Sequence, residues 1–348
     1  MTALVAVVAL AGCTKNENVA TEDASVFVKI SSGVDTKAIG DAIGTKPYVF
    51  TDGYMFFVGG GTITKRIVIG ASGDFTVAQL QSGQTITVPS SSTEVYVVGN
   101  IPTTGVTMPG AGPISAVQAL LISVQSQADA SVTGDKVTLY GKGNIGSGSA
   151  NVTVTPITAR IEIAQISAGG AITSYKVAGI FVNHYYPNSK LDGTIGGSLV
   201  NNADDVAKYV GNGTAYPSTL PLYDYNASGL PAMTSLVCAP TPAGKFWYYN
   251  VMAPSDAPDA AVPHIVIRLT DVVAGGYNYP NPQFITIKAF KDGSNTALTK
   301  LTAGHAYKLL NVPFTESDLT DKPETATIDV SVSITINNWI TDTVTPVL

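Results

Sequence analysis

Apolar and polar residues alternate with a period of two through most of this chain, and the spacing turns helical at one place. Val26, Val28 and Ile30 fall on one face of a first strand, with Phe27 and Lys29 on the other. The same signal predicts strands over residues 48–58, 67–70, 85–88 and 94–98. Over 114–127 the apolar residues Val117, Leu120, Leu121 and Val124 recur at helical spacing, and Pro113 suits a first turn, so a helix is predicted there. A strand over 136–140 closes the first half.

Gly141-Lys142-Gly143-Asn144-Ile145-Gly146-Ser147-Gly148-Ser149 then reads as a linker, which places a domain boundary near residue 150. Beyond it a long strand is expected over 152–166, with Ala159, Ile161 and Ile163 facing one way and Arg160 and Glu162 the other. Further strands are expected over 174–186, 245–252, 264–273, 283–290 and 306–312, with Asp292-Gly293 as a hairpin turn. The sharpest alternation comes last. Ile328, Val330, Val332, Ile334 and Ile336 share one face, Asp329, Ser331, Ser333, Thr335 and Asn337 the other, and Trp339 follows. Short strands between Gly/Pro turns predict an all-β chain built from β-sandwiches. A length of 348 residues fits two domains, 25–150 and 151–348, with one short helix in the first.

Composition adds where the protein works. Charged residues are 13 % of the chain, about half of the usual ~25 %, and Thr, Ser, Val, Ile, Gly and Tyr fill the difference. That is the balance of an exported β protein. The net charge of −6 lacks the basic footprint a phosphate backbone requires, so no nucleic-acid partner is expected.

Residues 3–11 form an apolar run too short to span a bilayer, which takes about 20 residues. The run ends in Leu10-Ala11-Gly12-Cys13, which resembles a bacterial lipobox: an apolar segment, a small-residue cleavage site, and a cysteine that receives lipid. Residues 1–13 are therefore expected to be a lipoprotein signal peptide with Cys13 lipidated, and 14–24 a polar tether. The other cysteine, Cys238, reads as a small buried hydrophobe, and no structural disulfide is expected.

Motifs that carry chemistry are weak. Gly141-Lys142-Gly143-Asn144-Ile145-Gly146 matches a dinucleotide fingerprint, but a strand follows it where a helix must open to receive pyrophosphate. The run beginning Asp224-Tyr225-Asn226 resembles the first half of a calcium loop, yet Ser235 stands where a bidentate Glu is needed. His184, His264 and His305 show no metal-ligand spacing. No G-x-S-x-G elbow is present. Phe246-Trp247-Tyr248-Tyr249 suggests a sugar platform, but on a strand it splits between two faces. No catalytic residue, metal ligand or cofactor is expected, and the chain does not read as an enzyme.

The order of features resembles the fimbrillins of the Bacteroidales, the lipoprotein pilins of type V pili. The resemblance runs from Leu10–Cys13 through the first strand to Ser31-Ser32-Gly33-Val34-Asp35-Thr36-Lys37-Ala38-Ile39-Gly40, then through the 54–58 and 94–99 strands and the helix at 114–127. Ala159-Arg160-Ile161-Glu162-Ile163 looks like the first strand of the family's second domain, and Tyr307-Lys308-Leu309 and the 328–339 segment also fit.

The resemblance implies two tandem transthyretin-like β-sandwich domains and an assembly mechanism. A lipidated precursor sits at the outer membrane. A trypsin-like surface protease cuts after Lys37, leaving Ala38 as the mature N-terminus. The strand with Val26, Val28 and Ile30 departs, and a strand of the next subunit fills its groove. The donor would be the tail, with Trp339, Ile340, Val344 and Val347 as pocket fillers. The best-known members are cut after Arg, whereas Lys stands here; Lys65-Arg66 is a second basic site, but a cut there would also remove the 54–58 strand. Partners are then other copies of the chain or related pilins, on a fimbrium at the cell surface. A non-polymerising surface lipoprotein or tip adhesin that binds glycan or protein is the alternative.

Overall fold

The computed structural model describes residues 23–32, 49–102, 105–127, 136–202, 206–209, 222–225, 236–240, 246–291, 296–325 and 334–338. They form an all-β protein, as the alternation predicts. The first half supplies β1 (Asp23–Ser32), β2 (Gly53–Gly59), β3 (Thr62–Ile69), β4 (Gln84–Pro89), β5 (Glu94–Gly99), β6 (Gly112–Pro113), β7 (Leu121–Ser123), β8 (Leu139–Asn144) and β9 (Ser149–Pro156). All but β7 join one eight-stranded sheet, in the order β4-β1-β9-β8-β5-β2-β3-β6. One face carries Met55, Phe57, Ile67, Val95, Val97, Val152 and Val154, which pack with the inward residues of β1 and β4 into a first core.

The second half supplies β10 (Thr158–Ile163), β11 (Ile166–Ala168), β12 (Ile172–Asn183), β13 (Asn188–Lys190), β14 (Tyr223–Tyr225), β15 (Val237–Cys238), β16 (Trp247–Met252), β17 (His264–Ala274), β18 (Tyr277–Asn278), β19 (Gln283–Ile287), β20 (His305–Leu309), β21 (Val312–Phe314) and β22 (Ile334–Asn338). They pair as β16-β10-β20-β22, as β15-β11-β21, and as β14-β12-β17-β18 with β19 beside β17. Ala159, Ile161 and Ile163 pack with Ile180, Val182, Ile265 and Ile267 into a second core. That core runs on without a break to Phe56, Tyr96 and Val98 on the other face of the first sheet.

The two halves are also joined by backbone. β7 pairs antiparallel with β13. Leu191 N donates to Leu120 O and Val124 N to Pro187 O, each at 2.8 Å. The buried Asn250 side chain donates to Gln127 O at 2.8 Å.

Three sequence expectations change. The 114–127 helix is only α2 (Ile114–Gln118), followed by β7 and a 3-10 turn over Val124–Gln127. A short isolated helix is marginal, and pairing with β13 takes over where Leu121 begins. The 141–149 run is no linker: Gly141 to Asn144 lie in β8, which pairs with β5, and the chain turns at Ser147-Gly148 into β9. Glycine is needed because a Cβ at Gly141 would stand 2.4 Å from Thr153 O, and one at Gly143 would stand 2.6 Å from Asn151 O. The expected 152–166 strand is three strands, β9 to β11, and the chain changes sheet at Ile157. A second short helix, α1 (Val77–Ser82), precedes β4. It is held by a capping box in which Gln79 N donates to Thr76 Oγ1 at 3.3 Å and Thr76 N to Gln79 Oε1 at 2.8 Å. The Asp292-Gly293 turn and residues 328–333 lie outside the described residues. Among those described, no helix is long and apolar enough to cross a membrane.

β10 buries both of its faces. Arg160 Nε meets Glu162 Oε1 at 2.8 Å with both side chains fully enclosed, and the Arg160 guanidinium lies 3.9 Å from the centre of the Tyr248 ring. Lys308 Nζ stands 4.0 Å from Glu162 Oε2. Removing one partner of such a pair strands the other charge. Glu162→Ala is expected to cost about 3–5 kcal/mol in urea unfolding. Lys176→Ala, which breaks the exposed pair with Asp271, is expected to cost under about 1 kcal/mol.

Candidate functional site

β1 alternates as its sequence dictates. Val26, Val28 and Ile30 are buried to 3 %, 0 % and 1 % exposure, while Phe27, Lys29 and Ser31 face outward. The strand lies inside the sheet. It pairs antiparallel with β4, Val26 opposite Ile86, and parallel with β9, Ile30 opposite Val152. Its inner side chains meet Leu80 of α1, Ile86 and Val88 of β4, and Ala150, Val152 and Val154 of β9. At about 1.5–3 kcal/mol per buried aliphatic side chain, the three contribute about 5–9 kcal/mol as an upper estimate.

Cys13, Lys37, Ala38, Trp339, Ile340, Val344 and Val347 lie outside the described residues. Lys65 and Arg66 lie within β3, paired with β2. Lys65 Nζ donates to Thr87 O at 2.7 Å, and the Arg66 guanidinium sits 5.6 Å from the Tyr54 ring centre. A protease must draw an extended segment into its cleft, and this pair is held in a ladder instead. β22, directly ahead of Trp339, pairs antiparallel with β20.

The other motifs find structural places. Asp224 accepts a hydrogen bond from Tyr249 OH at 2.7 Å, and burial raises its carboxyl above the ordinary range. Among the described residues no group of three His, Cys, Asp or Glu can hold a metal. Trp247 and Tyr249 are core; Tyr248 carries Arg160, and Phe246 faces Lys308 Nζ at 5.7 Å. Cys238 is buried, and burial pushes its thiol up to about 11.

One cluster was not visible in sequence spacing. Pairing of β12 with β17 sets Asn183 opposite His264, so His184 and His264 stack with ring centroids 4.5 Å apart. His184 Nδ1 donates to Val262 O at 2.9 Å, and His264 Nδ1 donates to Glu324 Oε2 at 2.9 Å. Nearly parallel rings direct their in-plane lone pairs side by side, not at one point, so the pair does not form a chelate. Glu324 also receives Asn183 Nδ2 at 2.7 Å, and Lys288 Nζ stands 3.3 Å away. The carboxylate ties Glu324 to β12 through Asn183 and to β17 through His264.

Burial alone would raise the Glu324 carboxyl, but hydrogen bonds from His264 and Asn183 and the charge of Lys288 hold it below the usual range. A depressed folded value gives stability that is present above the ordinary Glu value of 4.5 and is lost as the pH falls through the folded value. Glu324→Gln is expected to lose about 1–3 kcal/mol at pH 7, a difference that closes on acidification well below 4.5, read by urea unfolding at both pH values. In the groove, Val28→Ala is expected to cost the uncut chain about 1.5–3 kcal/mol, and Ser25→Ala less than about 0.5 kcal/mol.

No family model matches the chain, and no curated protein matches it by sequence. Solved structures match along nearly its whole length. A fimbrilin from Porphyromonas gingivalis superposes with a TM-score of 0.57 at 15 % identity, covering 91 % of this chain and 97 % of that one. A candidate cell adhesion protein from Bacteroides eggerthii gives 0.55 at 17 % identity, covering 93 % and 99 %. Another, from Parabacteroides distasonis, gives 0.55 at 12 % identity, covering 94 % and 98 %. The resemblance expected from the sequence is met in three dimensions, and this chain has the fimbrillin fold of the Bacteroidales.

Proposed function

We propose that this chain is a structural subunit of an adhesive surface fimbria, exported as a precursor with lipid on Cys13 and polymerised by exchanging β1 for a strand of the next copy. The observation that carries the reading is the place of β1 inside its sheet. A cut between β1 and β2 leaves β1 joined to the body by non-covalent contacts alone. Its departure opens an apolar slot, lined by Ile86, Val88, Val152 and Val154 and flanked by the unpaired edges of β4 and β9. A strand with alternate apolar residues refills it by β-augmentation. Repeated head to tail, such a contact is heterologous and builds an open filament.

In this reading each half is a transthyretin-like sandwich. A trypsin-like surface protease cuts after Lys37 to leave Ala38, while the strand-held Lys65 and Arg66 are spared. The donor is the tail after β22, with Trp339, Ile340, Val344 and Val347 entering the pockets that Val26, Val28 and Ile30 leave. The precursor belongs to the outer membrane and the polymer to the cell surface. The fimbrial and adhesive roles named for the superposed proteins agree with this assignment.

Brief treatment of the purified precursor with a Lys/Arg-specific protease is expected to give one cut, with Ala38 as the new N-terminus, and a ladder of stable oligomers. Lys37→Gln should leave the precursor intact, and deletion of residues 339–348 should leave a folded, cut monomer. A resistant chain that stays monomeric and keeps residues 14–37 would overturn the reading.

A further inference from the structure

Phe27 is the one large hydrophobic residue on the outer face of β1, between Ser25 and Lys29, and it is 43 % exposed. Its uncovered part is water-facing, but its ring is not idle. The ring stands over Gly83, the residue that ends α1 and precedes β4. A Cβ built at Gly83 would lie 2.2 Å from Phe27 Cζ and 2.8 Å from Cε2, so the ring occupies the space that any other residue's side chain would take. Gly83 also has φ of 92°, a conformation that only glycine adopts without strain. The backbone conformation keeps this position bare, and the flat ring fills the space.

The contact differs in kind from the rest of the β1 groove. Val26, Val28 and Ile30 enter pockets on the inner face, and any strand of similar aliphatic pattern reproduces them. Phe27 grips from the outside, diagonally across the β1–β4 ladder, where Phe27 pairs with Thr85 and Val28 with Gln84. Phe27 N is meanwhile fixed to Gly148 O at 2.8 Å on the β9 side. The aromatic ring thus reaches from β1 over the start of β4, beside the end of α1.

We propose that Phe27 lying across Gly83 is a latch that holds β1 in its groove after the chain is cut and sets the rate at which β1 leaves. The proposal rests on the strand-exchange reading and adds a residue that controls it. The latch needs a flat ring long enough to reach over Gly83; a branched aliphatic residue, although well suited to a strand, stops short of it.

The test uses the full chain cut between β1 and β2, with excess synthetic peptide of residues 23–32 as competitor. Intact mass then reads how fast the original N-terminal fragment is replaced. Phe27→Ala and Phe27→Ile are each expected to speed replacement about tenfold, whereas Phe27→Tyr and Phe27→Trp should stay within about threefold of the parent. Val28→Ala, which empties an inner pocket, should speed it whatever Phe27 does. If Phe27→Ile releases the fragment as slowly as the parent while Val28→Ala speeds release, the latch is wrong and strand exchange stands. If neither the parent fragment nor the Val28→Ala fragment is replaced, the strand-exchange reading falls and the latch with it.

Discussion

An interior strand has to satisfy two hydrogen-bonding edges and an apolar face at once, and β1 is such a strand. Its parallel pairing with β9 requires a long connection, and the whole first half of the chain serves as that connection. The sheet is complete only when the chain returns along β9 at residues 149–156. Loss of an edge strand would merely shorten a sheet. Loss of β1 separates β4 from β9 and leaves β4 held by Leu80, Ile86, Val88 and the Lys65 hydrogen bond to Thr87. The slot so formed has polar edges and apolar pockets, neither of which tolerates standing open in water.

Among the described residues the second half is joined to the first by backbone, side chain and core. β7 gives its backbone to β13, Asn250 reaches Gln127 O, and one apolar core crosses from the first sheet to β10, β12 and β17. β10 carries the most demanding part of this arrangement, the enclosed Arg160–Glu162 pair. A buried ion pair adds little net stability compared with a hydrophobic pair, but it strongly disfavours any register that separates its charges. Because Arg160 and Glu162 sit on a strand between β16 and β20, a one-residue slip would turn both charges into the aliphatic core on the other face.

Much of this was legible in the sequence. Period-two alternation marked β1, β5, β12 and β17 closely, because each buries one or both faces and the pattern follows burial. Local signals failed where non-local contacts decided. Leu120 and Leu121 have helical spacing, but pairing with β13 claims Leu121. The glycines at 141 and 143 look like a linker until the carbonyls of β9 that crowd them are in view. The capping box of Thr76 and Gln79 was missed, because the helix it opens is too short to show a helical apolar period. His184, His264 and Glu324 are far apart in the chain, and only the β12–β17 ladder and the return past β19 bring them together. The inner residues of β1 were visible from alternation, while the outer ring of Phe27 gained meaning only from Gly83.

Under the strand-exchange proposal the β1 groove must be tight before assembly and exchangeable after it, and contact strength alone cannot give both. In that proposal residues 33–48, which join β1 to β2 in the chain, would resolve the conflict by connectivity alone. While they join β1 to β2, a displaced β1 would stay at an effective concentration of the order of millimolar and would return. If they were cut, the same contacts would become an ordinary association between two molecules, open to any strand presented nearby. The equilibrium is then set by the inner pockets, which both strands use, and the rate by whatever the departing strand must break first. An outer contact such as Phe27 on Gly83 belongs to the departing strand, so it slows release without being needed by the strand that follows.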